Sequence, residues 1–269
     1  MPSITPSIST TTRVARVPYL NSAPYFRGLP LGDATQPRYA LVDCVPRQLG
    51  RKAAAGEIDA GLLPIADYFR LAGSFDRLGR FGIAVRGRAH SVMLCSRLPI
   101  RQLDGAVISV TEETSTTAVL LRLLLEQRYH VTPKLYHRGE HPEADARLLI
   151  GDEALTFKHT NTSYPFEIDL GFEWWLWQHL PFVFAVWAVR KDLDPADKKH
   201  LGLSLSSTLG INAQRFEAIA QDASASLGLP APELQAYLAN FVYRLSQPEE
   251  AGIIRFKELV DEFDLLRID

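Results

Sequence analysis

Apolar residues along the chain fall into short, nearly unbroken runs that alternate with stretches of helical spacing. Val14-Ala15-Arg16-Val17 reads as a short strand running directly into the turn Pro18-Tyr19-Leu20-Asn21-Ser22-Ala23-Pro24. Arg38 to Val45 is a second strand-like run, and a helix follows from Pro46, a residue suited to a first helical turn, to Gly56. Ile58 to Pro64 has almost no polar relief, which suits a strand buried on both faces of a parallel sheet. Strands alternating with helices in short succession predict an α/β class with a mostly parallel sheet.

The alternation then starts again. Ser91-Val92-Met93-Leu94-Cys95-Ser96 and Val107-Ile108-Ser109-Val110 read as strands, Thr111 to Thr116 as a turn, and Thr117 to Arg128 as a helix. Ala146 to Ile150 is a further strand, ended by Gly151-Asp152. Leu180 to Val189 is too continuously apolar for a surface position and is expected to return the chain to the first unit. Helices are expected over Asp194 to Leu205, Asn212 to Leu227, Ala231 to Leu245 and Glu249 to Phe263, between Gly and Pro breakers. Two α/β units joined by two crossing strands, with a helical C-terminal region packed on the first lobe, form a type II periplasmic-binding-protein-like clamp. The division expected is 1–92 with 188–269 for lobe I and 93–187 for lobe II. In open α/β sheets ligands bind beyond the carboxyl ends of strands, and here two such rims would face one another.

Length and charge narrow the possibilities. At 269 residues the chain can bury two cores without help from a metal or disulfides. Its 29 basic residues against 31 acidic ones are dispersed along the sequence, which argues against nucleic acid as a partner. Cys44 and Cys95 each lie in an apolar segment and read as buried thiols in a reducing compartment. The first residues, MPSITPSISTTT, have no basic start, apolar core or cleavage site, and no apolar stretch of about 18 residues follows. The expectation is a cytoplasmic protein with no membrane partner; the sequence leaves the oligomeric state open.

Candidate chemistry sits at the strand ends. The Asn21-Ser22 turn can present side-chain and backbone donors, or be an ordinary turn. Four of the six residues from Thr111 to Thr116 are Ser or Thr, and they precede a helix, so backbone N–H groups at the positive end of its dipole could take a carboxylate. Plain capping by Thr114 or Ser115 explains the same residues, and Glu112 and Glu113 oppose an anion unless they point away. Gly151 permits close backbone approach beside Asp152, which can line a cleft or cap its own helix. Ser91 can face the cleft or simply open its strand. His137 and His141 lie four apart but in a segment with proline and glycine, which argues against a zinc pair. Trp174-Trp175-Leu176-Trp177 reads as core or interlobe packing, with one ring available to a cleft.

Taken in order, Tyr19-Leu20-Asn21-Ser22-Ala23-Pro24, Asp59 to Pro64, Ser91 to Ser96, Thr114-Ser115-Thr116-Thr117, Leu148 to Leu155 and Leu180 to Trp187 resemble the chorismate dehydratases of the futalosine route to menaquinone. The resemblance implies a periplasmic-binding-protein fold used as an enzyme, with chorismate as its small-molecule substrate and neither metal nor organic cofactor. It implies a catalytic role for Asn21 and substrate contacts from Ser22, Ser91, Ser115 and Thr116, with Asp152 equally explained by capping; the strand-end reading adds Thr114 and Gly151 as substrate contacts. The alternatives are a non-catalytic binding protein for a small carboxylated solute, or the sister naphthoate-forming enzyme, whose usual Ser-Pro-Cys-Pro-Asn-type opening this chain lacks. Gln178-His179 departs from the family pattern, where small residues usually precede Leu-Pro.

Overall fold

The computed structural model describes residues 11–33 and 36–267. The leaderless reading of the first ten residues lies outside the described residues. Two sheets organise the rest. Thr12–Arg16 runs parallel to both Tyr39–Asp43 and Ala60–Pro64 and lies between them. All five residues of Ala60–Pro64 are buried, as its unrelieved apolar run predicts. Beyond it the sheet turns antiparallel: Phe182–Arg190 pairs with Ala60–Pro64 and with Phe75–Val85, and Phe241–Arg244 forms the far edge against Phe75–Val85. The second sheet orders Phe166–Asp169, Val92–Ser96, Ala146–Ile150, Val107–Val110 and Leu135–Arg138, the last three mutually parallel. The molecule is the two-lobed α/β clamp expected.

Three differences from the sequence reading bear on how the two units are built. The helix begun at Ala231 stops at Ala239, and Phe241–Arg244 is a strand in which Phe241 and Tyr243 turn inward while Arg244 is exposed. That two-residue alternation of aromatic side chains suits a pleated edge. Phe182–Arg190 lies wholly in the six-stranded sheet, starting from Phe182 against Val85, so 182–187 belong with the first sheet and not with 93–187. Its apolar side chains on both faces find cover only inside a sheet. The helix expected to Arg128 is α-helical over Thr116–Arg122 and then widens to a π-helix over Leu123–Arg128.

Consequently, among the described residues no strand crosses between the units; two short connections do, one between Val85 and Val92 and one between Gln178 and Phe182. The first is fastened by Asp169 of the second sheet, whose carboxylate accepts the backbone N–H groups of Ala89 at 2.9 Å and His90 at 2.8 Å. The same carboxylate caps Leu170–Gln178 through Phe172 N–H at 3.1 Å. In the second connection His179 adopts a left-handed φ of 55° at the end of that helix, a position that favours glycine. This gives the Gln178-His179 departure a physical meaning: the small residues usual there fit the backbone, whereas His179 carries a side chain into it. Gln178 accepts from Arg255 Nε at 2.9 Å.

Trp174 is fully buried and meets Phe182 and Phe256 edge to face at 5.3 and 5.9 Å, so it joins its helix to the first sheet and to the C-terminal helix Gln247–Glu262. Asn212, at the end of Pro195–Asn212, donates to the carbonyls of Pro24 at 3.0 Å and Arg27 at 2.8 Å, which docks this helix on the first unit. Among the described residues no helix is long and apolar enough to cross a membrane.

Candidate active site

Thr12–Arg16 delivers the chain to Val17, and the turn Leu20–Ser22 follows. The buried Ser22 hydroxyl sits between the carbonyls of Val17 and Tyr19, 2.9 Å from the latter, so its side chain holds the turn. The turn then presents Asn21 to a cavity between the units. Asn21, Ser22, Ser91, Thr114, Thr116, Thr117 and Gly151 supply its polar lining, against hydrocarbon from Leu62, Ile83, Ile150, Phe184 and Phe241. Among the described residues no carboxylate, imidazole, amine or guanidinium lines it.

Ser91 is the better-anchored hydroxyl. Tyr237 donates to its Oγ at 2.8 Å, leaving the Ser91 proton for another acceptor. Burial pushes the Tyr237 hydroxyl well above the usual tyrosine range, opposed by Ser91 and by Asn21, so this phenol stays protonated and acts as a donor. Gly151 N–H donates to the Ser91 carbonyl at 2.9 Å. At φ 61° a Cβ on Gly151 would lie 2.8 Å from the Tyr19 ring, so only glycine lets the second sheet's rim approach the turn.

The helix start divides its residues between two sides. Thr114 Oγ1 accepts Thr117 N–H at 3.1 Å, which is capping. Thr116 Oγ1 accepts Ala66 N–H of the first unit at 3.1 Å while still bordering the cavity. Ser115 faces away and donates to Asp67 at 2.6 Å. Asp152 is also outside the lining: its carboxylate neither caps its helix nor meets the cavity, but accepts Leu20 N–H from the first unit at 3.0 Å. Burial raises its pKa, partly offset by that N–H. Ser115 and Asp152, expected at the substrate, therefore serve contact between the units. Glu113 accepts the Tyr19 hydroxyl, and its carbonyl accepts Arg47 N–H at 2.9 Å; Glu112 is exposed. Neither acid borders the cavity, which removes the repulsion they threatened.

These bonds hold the two units closed. The cavity then measures about 70 Å³, whereas a pocket that accepts benzene is about 150 Å³. A substituted ring therefore enters only if the units part or the walls shift. No tryptophan lines the cavity; Tyr19, Thr117, Phe184 and Phe241 do, and Tyr237 stands behind it. Thr117 was adjacent to the candidate hydroxyls, but Tyr237 comes from a distant helix with no local signal. His137 and His141 pack ring against ring at 4.9 Å, and no group of three or more potential metal ligands occurs among the described residues.

Residues 12–262 match the family model described as menaquinone biosynthesis. The chorismate dehydratase of Thermus thermophilus is 31% identical over 258 residues, spanning 89% of this chain and 92% of the relative. In fold, a solved protein of Archaeoglobus fulgidus superposes with a TM-score of 0.77 at 20% identity, covering 95% of this chain and 98% of its own. The alkanesulfonate-binding protein of Xanthomonas axonopodis pv. citri, solved with MOPS, gives 0.67 at 16% identity, covering 96% and 93%. The chain thus has the fold of periplasmic binding proteins.

Proposed function

The chain belongs to the menaquinone biosynthesis family, and from that premise we propose that it is a hydro-lyase converting chorismate to 3-[(1-carboxyvinyl)oxy]benzoate and water. The observation that carries this reading is the cavity itself: an amide and hydroxyls facing hydrocarbon, without an ionisable acid or base other than Tyr19. Loss of the C4 hydroxyl with the C3 proton makes the ring aromatic, so the driving force lies in the product. The protein needs chiefly to desolvate the substrate and hold it in one geometry.

In this proposal Asn21 and Ser91 hydrogen-bond the reacting groups, with Ser91 held by Tyr237. The positive end of Thr116–Arg122, where Thr114 already caps Thr117 N–H, faces one of the two carboxylates. Asparagine is no base near neutrality, so the substrate's own enolpyruvyl carboxylate takes the C3 proton and the C4 oxygen leaves as water. The units built on the two sheets act as lobes that open to admit chorismate and close around it. A cytoplasmic location belongs to the same reading and is supported by two buried free thiols, Cys44 and Cys95, whose burial raises them to about 11 and about 12.

Incubating the purified protein with chorismate and following mass is the direct test. The expected product lacks one water. Tight binding with unchanged chorismate would replace the enzyme with a solute-binding protein, and turnover of a different pathway intermediate would favour the sister activity.

A further inference from the structure

A second cavity, of about 310 Å³, lies on the other side of the 114–117 helix start. Its wall carries five arginines: Arg47, Arg51 and Arg70 from the first unit, Arg122 and Arg138 from the second. Three have partners. Arg70 pairs with Asp67 at 2.8 Å and also donates to the Leu266 carbonyl, Arg122 pairs with Glu126 at 3.0 Å, and Arg138 donates to the Thr114 carbonyl at 2.8 Å. Asp67 is the one carboxylate among the described residues of the wall, and the Ser115 hydroxyl donates to it. The side chains of Arg47 and Arg51 make no hydrogen bond or ion pair among the described residues. They stand one helical turn apart on Pro46–Ala54, where like charges repel.

We propose that this cavity binds a small polyanion bearing at least two phosphate or carboxylate groups, and that its binding favours the closed arrangement of the units. Two guanidiniums without partners among the described residues, beside three held in place, give forked donors that match either oxyanion in pairs. A volume twice that of a benzene-sized pocket accommodates more than a single phosphate. Because both units contribute, an anion that bridges them binds the closed form more tightly than the open one, and that difference shifts the population.

The test titrates the full chain calorimetrically with pyrophosphate and, separately, with citrate, at constant ionic strength set with sodium chloride. One saturable site is expected, and the tighter of the two probes identifies phosphate or carboxylate as the preferred group. Arg51→Ala and Arg122→Gln, one from each unit, should each weaken binding about tenfold or more, whereas Asn21→Ala should leave it unchanged. Pyrophosphate or citrate should also reduce the radius of gyration in small-angle scattering. Absence of saturable binding by both probes, indifference to Arg51→Ala, or loss in Asn21→Ala would overturn the site. An unchanged radius at saturation would overturn its link to closure.

Discussion

Two cavities lie between the same pair of units, separated by four residues, and their walls are chemically opposite. The one bordered by Asn21, Ser91 and Gly151 holds amide, hydroxyl and hydrocarbon; the other is walled by five arginines. Thr114, Thr116 and Thr117 border the first, while Ser115 turns to the second. The contrast teaches that recognising an anion and transforming one make different demands. Fixed charges attract oxyanions strongly, but a reaction relying on the substrate's own carboxylate as base needs that carboxylate basic. A guanidinium clasped to it would lower its basicity, and neutral donors avoid this.

The largest expected effect tests the neutral cavity. Asn21→Ala should lower kcat for chorismate about 10²–10³-fold, the usual consequence of losing a preorganised donor, with a much smaller change in substrate binding. An equal rise in KM with kcat intact would make Asn21 a binding group only. Gly151→Ala comes next. It places a Cβ 2.8 Å from the Tyr19 ring at a positive φ, so the units cannot seal there without a shift. A cost of about 1–3 kcal/mol is expected, read as a lower denaturation midpoint together with a larger radius of gyration at saturating product. A closed, fully active Gly151→Ala protein would show that the close approach is dispensable.

Asp152→Asn should have a smaller effect on rate, because its carboxylate stands outside the neutral cavity. Dehydration should stay within about tenfold of the parent, and a loss approaching the 10²–10⁴ typical of a general base would reverse the assignment. Its signature lies in stability against pH. Burial raises the folded pKa of Asp152, so the folded state binds the proton more tightly than the unfolded one. The parent therefore loses stability as pH rises from the ordinary carboxylate value through the raised one. Asp152→Asn should lack that loss, and thermal melts across the acidic range would reveal it. The smallest effect belongs to His179→Gly, which relieves a left-handed φ of 55° and should stabilise by up to about 1 kcal/mol; a lower melting temperature would mean that the imidazole makes a compensating contact.

How much of this was legible in the sequence depends on what each signal encodes. Ala60–Pro64 is a continuous apolar run, and Val107–Val110 and Ala146–Ile150 are interrupted only by Ser109 and Arg147, so the hydrophobic pattern reads such strands well. Phe75–Val85 was invisible because Asp76, Arg77, Gly79 and Arg80 dilute its first half. Phe241–Arg244 was read as helix because Leu234, Tyr237, Leu238, Phe241 and Leu245 keep helical spacing through it, with neither Gly nor Pro to mark the break. Asn21, Ser91 and Gly151 were accessible as strand-end residues. The opposite orientations of Ser115 and Thr116 were not, because one residue of helical rotation decides which cavity each meets. Basic residues scattered along the sequence gave no hint that five arginines meet in one wall, since that gathering is a product of the fold alone.

Asp169 carries a consequence for how the molecule swings. By gripping the N–H groups of Ala89 and His90, it makes the end of the first connection part of the second sheet's rigid body. Rotation must then concentrate upstream, in the few bonds around Arg86, Gly87 and Arg88, where Gly87 already sits at a φ of 118°. The second connection offers its own pivot at His179, before Pro181 restricts the backbone. An opening rotation of the units would then pivot near these two points. Spin labels near residues 88 and 169 should separate least on opening, and labels near 21 and 151 most.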